Sequence, residues 1–153
     1  MLPFVRHVAP PLDHAVARLT GGRFTVTGLL TGLPTVRLTT TGARSGQPRR
    51  VILVGIAHGP NVALVASNWG QSRHPAWFYN LRANPQAMLA LPGRSARPYV
   101  AREAAGAERQ QLWQRAVDLY PGYARYALRS APRQIPILLL SPLESLRERQ
   151  ELR

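Results

Sequence analysis

The chain has 153 residues, a formal net charge of +13, 45% hydrophobic residues and no cysteine. That length suits one domain with a sizeable core, and the missing cysteine excludes disulfides, iron–sulfur clusters, thiolate zinc sites and cysteine nucleophiles. All twenty basic residues are arginine. They are spread from Arg6 to Arg153 with no run longer than Arg49-Arg50, a distribution that argues against a nucleic-acid interface despite the charge.

Residues 1–22 read as an amino-terminal helical arm. Pro10 and Pro11 open it, Leu12, Ala15, Val16 and Leu19 recur at helical spacing, and Gly21-Gly22 stops it. Its apolar stripe suits the protein's own sheet, and peripheral membrane contact stays open. The amino terminus lacks a signal-peptide core, and no apolar run approaches the ~18 residues needed to span a bilayer, so the default location is cytoplasmic.

Residues 23–27 and 35–40 alternate as strands, with Val36 and Leu38 on one face. The run 51–57 reads as a strand buried on both sides. His58-Gly59-Pro60-Asn61 is a turn, and 62–67 returns as the next strand. A polar loop, 68–74, leads to Pro75, which opens a short helix over 75–84 ended by Pro85. Residues 86–91 and 99–103 pair as strands. The best helix covers 107–120, Pro121-Gly122 breaks it, 123–129 continues as a shorter helix, 135–140 is a last buried strand and 143–153 is a charged tail. The sum is an α+β chain of about six to seven short antiparallel strands with two to three helices, joined mostly by hairpin-length links, which favours a small barrel.

The stretch 38–50 is the most informative. A threonine-rich strand enters a turn bearing Gly42, Gly46 and Pro48, with Arg44, Arg49 and Arg50 around it. The glycines can take positive φ and the proline fixes its own, so the chain reverses sharply and the three arginines converge on one rim. Guanidinium groups beside hydroxyls and free backbone N–H groups form a receptor for phosphate or carboxylate.

Other chemistry is missing. His7, His14, His58 and His74 have no metal-ligand spacing, so no metal site is expected. There is no nucleophile elbow and no Walker or dinucleotide glycine pattern. With seven acidic residues, a paired-carboxylate hydrolase has little support. A protein without chemistry of its own suits a borrowed redox cofactor, for which it supplies binding, orientation and a dry site.

The segments 38–49, Val65-Ala66-Ser67-Asn68-Trp69-Gly70, His74-Pro75-Ala76-Trp77-Phe78-Tyr79-Asn80-Leu81, Tyr120-Pro121-Gly122-Tyr123 and Arg133-Gln134-Ile135-Pro136 together resemble the deazaflavin-dependent nitroreductase family, in its order and spacing. The resemblance spans roughly residues 35–142. It implies a split β-barrel, similar to flavin mononucleotide (FMN)-binding barrels, that takes a hydride from reduced coenzyme F420 to an electron-poor acceptor: a quinone, an enone or a nitroaromatic.

Carried over by motif, Arg44, Ser45 and Arg49 would hold the cofactor's phosphate and glutamyl tail. Arg50, Val51, Ile52, Leu53 and Val54 would line the ring edge, and Val65, Ala66, Ser67 and Asn68 would face the ring. Ala76, Trp77 and Asn80 would close over it, and Tyr123 would flank it. The acceptor pocket would be Val54, Tyr120, Tyr123 and Tyr126, with Tyr123 or Ser67 delivering or orienting a proton. Arg44 stands where the family often has lysine, and Val54 and Ala76 are smaller than in some members, so acceptor shape is not implied. FMN in place of F420, a non-catalytic barrel carrying a lipid or other hydrophobic ligand, and monomer against homodimer stay open.

Overall fold

A computed structural model describes residues 32–153. The arm at 1–22 and the strand at 23–27 lie outside the described residues.

Strand β1 (Thr35–Thr41) alternates as its sequence does: Val36, Leu38 and Thr40 are buried, and the residues between them are more open. It pairs antiparallel with β2 (Pro48–Val54), from Thr35 opposite Val54 to Thr41 opposite Pro48. The expected single strand 51–57 is split at Gly55. A Cβ there would lie 2.6 Å from Val36 Cγ1, so the backbone crosses the core where no side chain fits, and its N–H bonds Pro34 O at 3.0 Å.

Beyond Gly55, β3 (Ile56–His58) and β4 (Asn61–Val65) form a hairpin, with Gly59 at φ +57° in the turn. Then come helix α1 (Ala76–Ala83), strands β5 (Gln86–Ala90) and β6 (Arg97–Glu103), helices α2 (Gly106–Leu119) and α3 (Gly122–Ser130), strand β7 (Ile137–Pro142) and helix α4 (Leu143–Glu151). The segment expected as a charged tail is therefore helical, and Arg97 bonds Glu144 at 2.7 Å to tie its first turn to β6.

All seven strands among the described residues join one antiparallel sheet in the order β2-β1-β5-β6-β7-β4-β3. The sheet curls so that β2 comes back toward β4. This is the half-barrel of a split β-barrel, as the hairpin-length links predict.

The core lies on both faces of the curl. On one, Leu38, Leu64, Leu89 and Leu140 pack with Trp77, Phe78 and Leu81 of α1. On the other, Ile56, Ala63, Val65, Ile137 and Leu139 pack with Leu112 and Ala116 of α2 and with Tyr123 and Tyr126 of α3. The central strands β4 and β7 are thus covered on both sides, which is why they read as unbroken apolar runs. Strand β2 reads the same way, yet Val51–Val54 are only half-buried. It is an edge strand: Val51 and Leu53 lean on the core, and the strand borders a cavity.

Candidate functional site

The cavity is about 1050 Å³, ample for a ligand of cofactor size. Of the residues expected at the site, Arg44, Ser45, Arg49, Arg50, Val51, Ile52, Leu53, Val54, Val65, Ser67, Asn68, Ala76, Trp77, Asn80, Tyr120, Tyr123 and Tyr126 all line it. Ala66 does not. It is fully buried behind the wall, its N–H bonded to Pro136 O at 2.9 Å, because its place after β4 continues the ladder toward β7.

One wall is the turn between β1 and β2. The Gly42 N–H bonds Gln47 O at 2.8 Å and the Gly46 N–H bonds Gly42 O at 2.9 Å, closing a tight loop. Gly46 takes φ +68° as expected. Gly42 does not take positive φ; it is glycine for lack of room, since a Cβ would sit 2.5 Å from Ser45 Oγ. Ser45 Oγ accepts the Gln47 N–H at 3.2 Å and Arg49 Nη2 at 3.3 Å. Arg44, Arg49 and Arg50 are all exposed and belong to no ion pair among the described residues. They leave a concentrated positive charge on this part of the cavity wall.

Asn80 anchors this turn from α1. Its Oδ1 accepts the Ala43 N–H at 2.9 Å, and its Nδ2 donates to Thr40 Oγ1 at 3.1 Å, with both side chains buried. The expected cofactor contact thus has a structural duty that reading the sequence did not reveal, because its partners lie about forty positions away.

A second part of the wall is the loop 66–74 and α3. Asn68 and Trp69 adopt left-handed φ of 46° and 57°, a conformation costing on the order of 1 kcal/mol per non-glycine residue. Several contacts hold it. Asn68 Nδ2 donates to Arg73 O at 2.9 Å, Arg129 Nη1 donates to Trp69 O at 3.3 Å, and Gly70 lies so close to α3 that a Cβ would meet Tyr126 Cα at 3.0 Å.

Arg133 does most. Its Nε donates to Gln71 O at 3.0 Å, Nη1 to Ala66 O at 3.1 Å and to His74 Nδ1 at 2.9 Å, and Nη2 to Ser67 O at 2.8 Å. Neither Arg133 nor His74 was singled out as a site residue from the sequence. Both stand within quoted motifs, but a metal-ligand search looks for spacing between histidines rather than for an arginine sixty residues on.

The three tyrosines form one aromatic cluster. Ring centroids are 5.4 Å apart for Tyr120 and Tyr123, 6.0 Å for Tyr120 and Tyr126 and 6.3 Å for Tyr123 and Tyr126, and the Tyr120 and Tyr126 hydroxyls lie 3.3 Å apart. Trp69 meets Tyr126 edge-on at 6.3 Å. The three-residue spacing therefore serves packing and cavity wall together. Burial pushes the Tyr123 phenol well above its ordinary value; burial and the bond to Tyr120 do the same for Tyr126. Both stay neutral, able to donate a hydrogen bond and poor at releasing a proton.

The cavity lining therefore combines exposed cationic side chains of the β1–β2 turn, the half-buried strand β2 and an aromatic set from loop 66–74 and the α2–α3 corner. Its volume and mixed lining suit a ligand that carries both anionic groups and a flat ring. Among the described residues no cluster of potential metal ligands occurs.

Comparison with known proteins places the chain in a family. Residues 12–142 match the model of a family described as F420H(2)-dependent quinone reductase. An F420H(2)-dependent quinone reductase of Mycobacterium tuberculosis is 32% identical over 145 residues, spanning 89% of this chain and 93% of that protein. A solved F420-H2 dependent reductase is 38% identical, with a TM-score of 0.64 over 71% of this chain and 94% of its own. A second solved structure, described as a domain-swapped dimer, is 34% identical, with a TM-score of 0.66 over 84% of this chain and 96% of its own.

Proposed function

This chain belongs to the F420H(2)-dependent quinone reductase family, and we propose that its cavity holds reduced F420 tail-first on the arginine turn and admits a quinone past the tyrosines. It is an F420-dependent oxidoreductase. The observation that carries the reading is the mixed lining of one cavity, which brings three exposed arginines together with Trp69 and three tyrosines.

When bound in reduced form, F420 supplies a hydride equivalent. Everything else falls to the chain. Arg44 and Arg49 neutralise phosphate and carboxylate charge, Ser45 holds Arg49 in place, and Asn80 fixes the turn that carries them. Loop 66–74 and α1 confine the ring, and the cavity's apolar wall keeps bulk water from the transfer. A quinone that accepts a hydride also needs a proton on oxygen. With its phenol held neutral, Tyr123 orients the acceptor by donating a hydrogen bond, and the proton arrives through Ser67 or water at the mouth. Quinone is favoured over enone or nitroaromatic because it is the acceptor named for the family and its M. tuberculosis relative.

FMN fits less well, since its single phosphate would engage only part of the arginine rim. Likeness to the structure described as a domain-swapped dimer supports self-association as a homodimer, which size-exclusion chromatography with light scattering would test. No helix among the described residues is long and apolar enough to cross a membrane.

The test is a titration of the protein with oxidised F420 and, in parallel, FMN, followed by fluorescence anisotropy, and then by reduction of a soluble benzoquinone with F420H2. Micromolar or tighter binding of F420 alone and stoichiometric quinone reduction are expected. Preference for FMN, or binding of neither, overturns the reading.

A further inference from the structure

We infer that His74 is a fixed, uncharged hydrogen-bond donor of the cavity, its Nε2–H aimed at a carbonyl oxygen of the bound cofactor ring, and that Arg133 is the positioning residue that fixes its tautomer. The inference rests on the cofactor reading above.

The geometry leaves the imidazole little freedom. Arg133 Nη1 stands 2.9 Å from Nδ1, and a guanidinium has hydrogens to donate and no lone pair to accept. Nδ1 must therefore offer its lone pair, and the ring proton sits on Nε2. The same guanidinium is held by three carbonyls, Ala66 O, Ser67 O and Gln71 O, so it cannot turn away to accommodate the other tautomer. The ring plane is fixed as well, packed 4.6 Å from the Phe78 ring and edge-on to Tyr79 at 5.8 Å. His74 lines the cavity, and Nε2 has no hydrogen-bond partner among the described residues.

A second proton is disfavoured. Burial first, then the Arg133 charge and more weakly Arg82, hold His74 below its ordinary value, with Glu103 opposing them. These are the charged groups that face it. A flat pyrimidine ring with carbonyl oxygens on its rim is the ligand such a donor suits, and a neutral donor leaves the charge balance of the arginine-rich cavity unchanged.

Three histidine substitutions separate this role from a packing role. His74→Asn keeps an acceptor at the Nδ1 position for Arg133 but cannot reach the position of Nε2. His74→Gln reaches the distal position but gives up the Arg133 contact, and His74→Phe keeps only the ring. In protein labelled with 15N-histidine, the resonances lost in His74→Gln identify the residue. At pH 7 they are expected to show an unprotonated Nδ1 and a protonated Nε2, and the Nε2 signal moves on saturation with oxidised F420. His74→Asn is expected to fold as the wild type does and to bind F420 about tenfold more weakly, with His74→Gln closer to wild type.

The Nδ1–H tautomer, an Nε2 resonance unmoved at saturating F420, or wild-type affinity in His74→Asn would each overturn the inference. If the wild type does not bind F420 at all, the cofactor reading has failed instead, and the titration above reveals that first.

Discussion

The two walls of the cavity are built on opposite plans. The arginine turn is local: its closing bonds join residues within about five positions, its charged side chains are exposed, and its one distant anchor is Asn80. The other wall is long-range. Loop 66–74 has little internal structure beyond a 3-10 turn at Asn68–Gly70, carries two left-handed residues, and is held by Arg129 and Arg133 from some sixty positions away. The comparison teaches that charge for binding can be displayed on a self-sufficient hairpin at little cost to the fold. A loop with left-handed residues and few internal bonds has to be secured by the body of the protein.

The sharpest way to break that contrast is Arg133→Ala. It leaves three carbonyls and the His74 ring nitrogen without their donor, and a loss of roughly 2–4 kcal/mol in urea unfolding is expected. A loss under about 0.5 kcal/mol would show that the loop secures itself. The mirror experiment replaces Arg44 and Arg49 together with alanine. Stability should change by no more than about 0.5 kcal/mol, while F420 affinity at low salt falls at least about tenfold and the remaining affinity depends less on salt. Unchanged affinity, measured by anisotropy at two ionic strengths, would remove the anion site from this wall.

Asn80→Ala tests the one place where the plans cross. It strips a buried acceptor from the Ala43 N–H and a donor from Thr40, so about 1–2 kcal/mol of stability is expected to go, with a several-fold loss of F420 affinity as the turn loosens. Affinity lost without stability would mean that Asn80 contacts the ligand directly and hardly anchors the turn.

The smallest effect concerns the tyrosines. Their folded-state values lie above the ordinary phenol value near 10, so the native state holds those protons more tightly than the unfolded state. Their contribution is complete below about pH 10 and is lost as pH rises beyond it. Tyr123→Phe should therefore flatten the alkaline fall in stability while leaving it unchanged at pH 7. A Tyr123 phenolate seen by ultraviolet titration near pH 10 would contradict this.

Much of this was legible in the chain itself. Alternation in 35–40 places Val36 and Leu38 inward, Pro75 and Pro85 bracket α1, Pro121-Gly122 separates α2 from α3, and the glycines and proline of 42–48 mark the tight turn that displays Arg44, Arg49 and Arg50. The motif series also resembled the right family. The errors were of one kind. An apolar run does not say whether its strand is central or at an edge, so 51–57 reads as buried although β2 borders the cavity and Gly55 ends it. Ala66 was counted as wall when it lies behind it, and charge alone hid the helix at Leu143–Glu151.

Sequence by itself determined most of the elements among the described residues, their approximate limits and the chemistry on offer, because strand alternation, proline and glycine stops and an arginine-bearing turn all act over a few residues. Tertiary structure alone decided what those groups do. Arg133, Asn80 and His74 acquire their roles from partners about forty to sixty residues distant. Hydrogen bonds depend on position in space, and only the curled sheet brings those positions together.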